Sequence, residues 1–156
     1  LFKMKKKIIF FLLFFSLSHC GFSPIYNITD KLDYKIIITE KSGDKFINNL
    51  ILQETYKISN KNATKVYYMK VNTVYEKTIV SKNSKGSPTE YQLKAITNFE
   101  IQNKNIKKEI SFNEKQNIKN ISDIFELKNY ENTIKTNFAI SIIRNLNLQL
   151  LNEEWF

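Results

Sequence analysis

Cysteine, histidine, arginine, glycine and proline are all scarce in this chain of 156 residues. The one cysteine, Cys20, and the one histidine, His19, are neighbours at the end of the first apolar run. A chain cleaved before Cys20 and modified at its thiol would keep no imidazole and no free thiol. That excludes Ser-His-Asp triads, Cys-His dyads and zinc sites built on these side chains. The three glycines form no cluster, which excludes a glycine-rich phosphate loop.

The positive charge is almost entirely lysine. The formal net charge is +9, yet Arg144 is the only arginine, and four lysines lie within the first seven residues. Specific DNA-binding proteins commonly place arginine against guanine, so a single arginine fits that class poorly. Apolar residues make up 42% of the chain, which is enough for the core of one domain. We therefore expect one folded domain that has no nucleic-acid partner.

The N-terminus has the pattern of an export signal. Lysines precede an apolar run from Ile8 to Leu17. A helix needs about 20 apolar residues to cross a bilayer, so this run is too short for an ordinary span. A short apolar run after a basic start is typical of a secretory signal peptide. We predict a signal peptide at residues 1–19.

The end of this run, Leu17-Ser18-His19-Cys20, resembles a bacterial lipobox, although a small residue is usual where His19 stands. The resemblance implies a covalent lipid on Cys20, and two or three acyl chains hold a protein stably at a membrane. Gly21 is not the aspartate that retains lipoproteins at the inner membrane. We therefore expect a lipid-anchored protein on the periplasmic side of the outer membrane. The alternative is a signal peptide, or an uncleaved anchor, that ends in a cysteine by chance.

Hydrophobic periodicity predicts the elements of the remaining chain. Residues 20–32 contain Pro24 and have no period, so we interpret them as a lipidated tether. The domain, residues 33–156, starts with a strand to Glu40 and a helix to about Lys57 that Ser42 or Asp44 caps. Alternating segments then predict three strands, at Lys65–Val80, Glu90–Gln102 and Ile106–Phe112.

From about Ser122 the period changes to that of a long amphipathic helix. Its apolar side chains recur every four residues, at Ile134, Phe138, Ile142, Leu146 and Leu150. Two amphipathic helices and a sheet with one apolar face bury these apolar surfaces most simply when the helices pack on that face as a second layer. We predict an α+β fold, a four-stranded, mostly antiparallel sheet with two helices packed on one face, in the order β-α-β-β-β-α.

This order resembles the LptE family of lipopolysaccharide-assembly lipoproteins. Two segments also resemble this family: Cys20-Gly21-Phe22 at the lipidation site, and Thr89-Glu90-Tyr91-Gln92-Leu93 after a glycine-containing hairpin. The resemblance implies an outer-membrane protein that assembles with the β-barrel LptD, plugs its lumen and contacts lipopolysaccharide. It implies no enzymatic activity, no metal and no cofactor other than the lipid on Cys20.

Three lysines are candidates for lipopolysaccharide contact through this resemblance. Lys128, in the segment Leu127–Glu131, matches a basic position near the start of the family's last helix. A second family position, an arginine at the hairpin tip, is occupied by Ser84, which Lys82 and Lys85 flank. Lysine lacks the bidentate fork of arginine. The alternative for Lys82, Lys85 and Lys128 is that they are ordinary solvated side chains.

Two other functions remain open from the sequence. An auxiliary lipoprotein of a lipid-transporting ABC system would share the anchor and a small α/β domain. An envelope hydrolase would need two facing carboxyl groups, for which Asp123 with Glu126, or Glu153 with Glu154, are the available acids. Paired acids at a helix end are usually solvated, so we expect that the protein is not an enzyme.

Overall fold

Six elements follow one another in the predicted order. The computed structural model describes residues 33–152, so the predicted signal peptide, Cys20, the tether and residues 153–156 lie outside the described residues. The elements are β1 (Tyr34–Gly43), α1 (Lys45–Ile58), β2 (Lys65–Lys82), β3 (Pro88–Asn103), β4 (Ile106–Lys119) and α2 (Ile124–Asn152).

The four strands form one sheet in the order β1-β2-β3-β4. β1 pairs with β2 in parallel, and α1 makes the crossover that a parallel pair needs. β2 with β3, and β3 with β4, are antiparallel. The prediction of a mostly antiparallel four-stranded sheet is therefore confirmed.

One face of the sheet is buried and carries both helices. The buried strand residues have one parity, as the alternation predicts, and they meet the apolar stripes of α1 and α2. Ile51 of α1, Ile142 of α2 and Phe99 of β3 have no exposed surface. Two helices on one face of the sheet are thus confirmed, and the opposite face has no helix on it among the described residues.

The start of α1 is fixed by Asp44 rather than by Ser42. The Asp44 carboxylate accepts a hydrogen bond from the Ile47 N–H at 2.8 Å, and its own N–H donates to the Thr73 carbonyl at 2.8 Å. Gly43 precedes it with φ of +85°, and a Cβ there would lie 2.0 Å from the Thr73 carbonyl oxygen. Only glycine fits this turn, because the conformation and the space both exclude a side chain.

A polar network crosses the core beside this turn. The Thr73 hydroxyl donates to the Asn48 amide oxygen at 2.8 Å and lies 3.0 Å from the Thr97 hydroxyl. The Asn48 amide nitrogen donates to the Ser42 carbonyl at 2.6 Å. Each of these buried side chains has a partner, so the network joins α1 to β1, β2 and β3 without an orphaned polar group.

β4 is longer than the sequence indicates. It continues past Phe112 to Lys119. This second half has a single buried apolar side chain, Ile118, which lies opposite Tyr91 of β3. The second half of β4 remains a strand because its backbone pairs with β3, and not because its apolar residues alternate. α2 then begins at Ile124, two residues after the predicted start.

Candidate functional site

The β2–β3 turn and the start of α2 lie at the same end of the sheet, which we call the hairpin end. The Asn120 side-chain amide donates to the Pro88 carbonyl at 2.9 Å, and the Asn120 backbone N–H donates to the Thr89 carbonyl at 2.9 Å. Lys119, at the end of β4, pairs with Glu90 at the start of β3. These contacts join the connection that leads into α2 to the first residues of β3.

The turn itself is held by Asn83. Its side-chain oxygen accepts hydrogen bonds from the backbone N–H groups of Lys85 at 3.0 Å and Ser87 at 2.9 Å. Gly86 takes φ of +83° with open space around it. An asparagine that bonds backbone groups two and four residues on is a common way to order a tight turn.

The sequence-predicted lysines therefore share one end of the molecule. Lys82 ends β2, Lys85 lies in the turn and Lys128 lies in the first turns of α2. All three are exposed, and none of their ammonium groups is in a hydrogen bond or ion pair with another described residue. The fold therefore places all three towards the hairpin end.

Two apolar side chains at the hairpin end were not singled out by sequence reasoning. Ile124 is 77% exposed and Phe125 is 80% exposed, at the first two positions of α2. Asp123 caps the helix, since its carboxylate accepts from the N–H groups of Phe125 at 2.8 Å and Glu126 at 3.0 Å. The available signal was a pair of adjacent apolar residues directly after a capping aspartate, before the apolar stripe of the helix begins.

A cluster of charged and aromatic side chains fixes the first half of α2 on the sheet. Glu131 accepts from the Tyr75 hydroxyl at 2.7 Å and from the Lys77 ammonium at 2.8 Å. One turn later, the Lys135 ammonium lies 3.0 Å from the Asp44 carboxylate and 3.7 Å from the centre of the Tyr75 ring. This cluster sets the position of the helix turn that carries Lys128.

The cluster shifts the pKa of two of its members. Burial alone would raise the pKa of Glu131, but the hydrogen bonds from Lys77 and Tyr75 and the charge of Lys135 outweigh it, so the pKa lies below its ordinary value. Burial, followed by the hydrogen bond to Glu131, raises the pKa of Tyr75 above its ordinary value. The ionised carboxylate and the neutral phenol are thus the stable pair.

The face of the sheet opposite the helices, which we call the open face, is mostly polar. Asn72 and Asn98 lie opposite each other at its centre, beside the apolar pair Val74 and Ile96. A shallow groove of about 240 Å³ crosses the half nearer the start of β2, and Tyr68 lies on its wall. The open face as a whole also carries the ion pairs Lys70–Glu40 at 3.1 Å and Lys94–Glu76 at 3.5 Å.

The described part of the chain has neither a metal-binding cluster of side chains nor a membrane-spanning helix. Within residues 33–152, no group of three His, Cys, Asp or Glu side chains could hold a metal ion. Neither helix of this part of the chain is both long and apolar enough to span a bilayer. Glu153 and Glu154 lie outside the described residues.

Comparison with known proteins adds a fold relationship. No protein-family model matches the chain, and no curated protein sequence matches it. The rare lipoprotein B from Shewanella oneidensis matches with a TM-score of 0.55 and 12% identity, over 74% of this chain and 96% of that chain. The minor lipoprotein from Acinetobacter baumannii matches with a TM-score of 0.49 and 11% identity, over 73% and 91% of the two chains. The first of these likenesses shows a shared fold.

Proposed function

We propose that this protein is a lipid-anchored outer-membrane lipoprotein that assembles with the β-barrel LptD, plugs its lumen and helps to deliver lipopolysaccharide to the outer leaflet. The lipid on Cys20 would hold it at the periplasmic side of the membrane. The domain would act as a scaffold and plug rather than as an enzyme.

The observation that carries the proposal is the fold. Almost the whole of the Shewanella oneidensis lipoprotein superposes on this chain, and the four-stranded sheet with two helices on one face is the architecture that the LptE resemblance implies. The leader that ends at Cys20 supports the same assignment, because it supplies the acylation site that a lipoprotein needs.

The dimensions of the sheet suit a plug. β2 has 18 residues, which at about 3.3 Å per residue is a strand about 60 Å long. Tyr34, the first residue of β1, pairs with Lys65, the first residue of β2, so the chain enters the domain at the end opposite the hairpin. A domain anchored at the periplasmic surface would therefore place its hairpin end across the bilayer core, which is about 30 Å thick.

The open face suits the same environment. The lumen of a large outer-membrane barrel is polar and filled with water, whereas its outer wall is apolar. Asn72, Asn98 and the ion pairs of the open face match a polar lumen wall and would be costly against lipid. The hairpin end, with unpaired Lys82, Lys85 and Lys128, would then meet the phosphate groups of lipopolysaccharide.

Capture from membranes tests the assembly. A tagged chain, cross-linked in cells and purified in mild detergent, should bring a single large β-barrel with it. The same purification should contain no inner-membrane ABC transporter. Recovery of the transporter without a barrel would favour the auxiliary lipoprotein of a lipid-transporting ABC system instead.

Two triple variants, in each of which three lysines are replaced by glutamate, test the lipid contact. The triple variant Lys82→Glu, Lys85→Glu and Lys128→Glu should retain the barrel but bind less lipopolysaccharide. The matched control reverses three exposed lysines elsewhere on the chain, Lys45, Lys61 and Lys107. An equal loss in the two triple variants would show that net charge, and not the hairpin end, governs lipid binding.

A further inference from the structure

The first turn of α2 carries the two large apolar side chains with the highest exposed fractions in the described part of the chain. Phe125 is 80% exposed and Ile124 is 77% exposed, and the two are adjacent. Two large apolar side chains left in water at neighbouring positions are costly, and exposed apolar surface of this kind often marks an interaction site. Helix formation does not require them, because the capping of α2 uses the Asp123 carboxylate and backbone N–H groups.

A recess lies next to this pair on the surface of α2. It has a volume of about 420 Å³ and is lined by Ile121, Glu126, Asn129, Tyr130 and Thr133. Ile121 belongs to the connection before the helix, and Tyr130 is itself 41% exposed. Ile121 and Tyr130 therefore add apolar surface near the start of α2, in a shallow recess that also carries Glu126, Asn129 and Thr133.

Four lysines lie at the same end of the sheet as these apolar side chains. Lys82, Lys85, Lys119 and Lys128 are exposed, and no described residue pairs with their ammonium groups. The acids of the same end are Glu90, Asp123 and Glu126, and the Asp123 carboxylate is occupied in capping. An apolar patch with a cationic rim is complementary to an amphiphile that has negative headgroups and hydrocarbon chains.

We propose that Ile124 and Phe125 contact the acyl chains of the lipid whose phosphates meet the lysines of the hairpin end. The proposal rests on the proposed function, and it deepens it by assigning recognition of the hydrocarbon part. The hairpin end then discriminates an acylated phosphoglycolipid from a phosphorylated sugar, because only the former covers these two side chains.

Two forms of the lipid separate the two kinds of contact. The whole chain, purified from membranes in mild detergent, is tested for binding to immobilised lipopolysaccharide and to fully deacylated lipopolysaccharide that keeps its phosphates. The variant Ile124→Ser with Phe125→Ser should bind intact lipopolysaccharide about tenfold or more weakly, since burial of one large side chain is worth about a factor of ten. Its binding to the deacylated form should equal that of the unaltered chain.

The control variant is Leu148→Ser with Leu151→Ser, on the same helix but near its other end. These leucines are 49% and 51% exposed, so the control also removes two exposed apolar side chains from α2, though less exposed surface than the Ile124/Phe125 variant. Unaltered binding of both lipid forms by this control, with thermal melting unchanged in both variants, would support the inference.

Three results would overturn it. If the Ile124/Phe125 variant binds intact lipopolysaccharide as tightly as the unaltered chain does, the two side chains do not contact its acyl chains. The proposed function would still stand. Loss of the barrel on purification of that variant, with lipid binding retained, would assign the pair to a protein interface. An unaltered chain that binds neither lipid form would overturn the lipid part of the proposed function as well.

Discussion

The Lys135 ammonium of α2 lies 3.0 Å from the carboxylate of Asp44, the residue that caps α1. One oxygen of Asp44 accepts the Ile47 N–H, and the other accepts Lys135, 91 residues away in the chain. The pair is largely shielded from solvent. It ties the start of α1 to the middle of α2 and to β2, so a single carboxylate couples local capping to the packing of the two helices.

Substitution of Asp44 separates these two roles. Asp44→Asn keeps a good capping acceptor and loses the ion pair, so we expect a loss of about 1 kcal/mol in the free energy of unfolding. Asp44→Ala loses both and should cost about 2–3 kcal/mol. Urea denaturation of the two variants measures the difference. Equal losses would show that the carboxylate acts through only one of its contacts.

Gly43 and Gly86 form a matched pair for a test of steric exclusion. Both have φ near +85°, but only at Gly43 would an added Cβ meet a backbone oxygen, that of Thr73 at 2.0 Å. Gly86→Ala should cost about 1 kcal/mol, from the left-handed conformation alone. Gly43→Ala should cost at least about 3 kcal/mol, because the strand β2 must also move. Similar melting temperatures for the two variants would contradict the close approach of Gly43 to Thr73.

The inner face of α2 is tested by Phe138→Asp. Phe138 is 5% exposed, so the substitution buries a carboxylate without a partner and should cost about 4 kcal/mol or more, enough to unfold the domain. Ile140→Asp, two residues later but 45% exposed, is the control and should change stability by less than about 1 kcal/mol. Circular dichroism against temperature distinguishes them. Normal melting of the Phe138 variant would place this residue outside the core.

The lowered pKa of Glu131 makes a prediction about acid stability. Because its folded pKa lies below the ordinary value of 4.5, its contribution is present above that pH and is lost as the pH falls through the folded pKa. Glu131→Gln should therefore lower the free energy of unfolding at pH 7 and flatten its decline below about pH 4.5. Glu126→Gln, which removes an exposed carboxylate from the same helix, is measured in parallel as the control. Parallel pH profiles for Glu131→Gln and the unaltered chain would argue against the Tyr75–Glu131–Lys77 contacts.

Lys128 gives the sharpest single-residue test of the proposed lipid contact. Its side chain is exposed and unpaired among the described residues, so Lys128→Glu should not alter folding. We expect weaker binding of lipopolysaccharide by about three- to tenfold, as one phosphate contact becomes repulsive, with barrel recovery unchanged. Binding is measured on the purified variant. An unaltered affinity would remove Lys128 from the site.

Most of the fold follows from the period of the apolar residues. Leu93, Ala95, Phe99 and Ile101 alternate along β3 because every second side chain must enter the core, and that period is visible without coordinates. The second half of β4 was missed because its burial rests on Ile118 alone. A strand whose neighbours supply the pairing needs no strong pattern of its own, so its end cannot be located from local sequence.

The residues of the candidate site could also be predicted from the sequence only in part. The resemblance to a family indicated Lys82, Lys85 and Lys128, but it did not show that they share one end of the sheet, which depends on the Asn120 contacts to β3. Ile124 and Phe125 look like ordinary helix residues in a sequence. Their exposure is visible only once α2 is placed, because burial depends on what the rest of the chain brings alongside.

By itself, the sequence determined the order of the strands and helices and which of their faces are apolar, since both depend on neighbours within about one or two turns of chain. Only the tertiary structure decided the extent of β4, the parallel pairing of β1 with β2, the contact of Asp44 with Lys135, and the exposure of Ile124 and Phe125 at the hairpin end. These relationships join residues that are far apart in the chain. They are selected by the burial of the whole core rather than by any local preference.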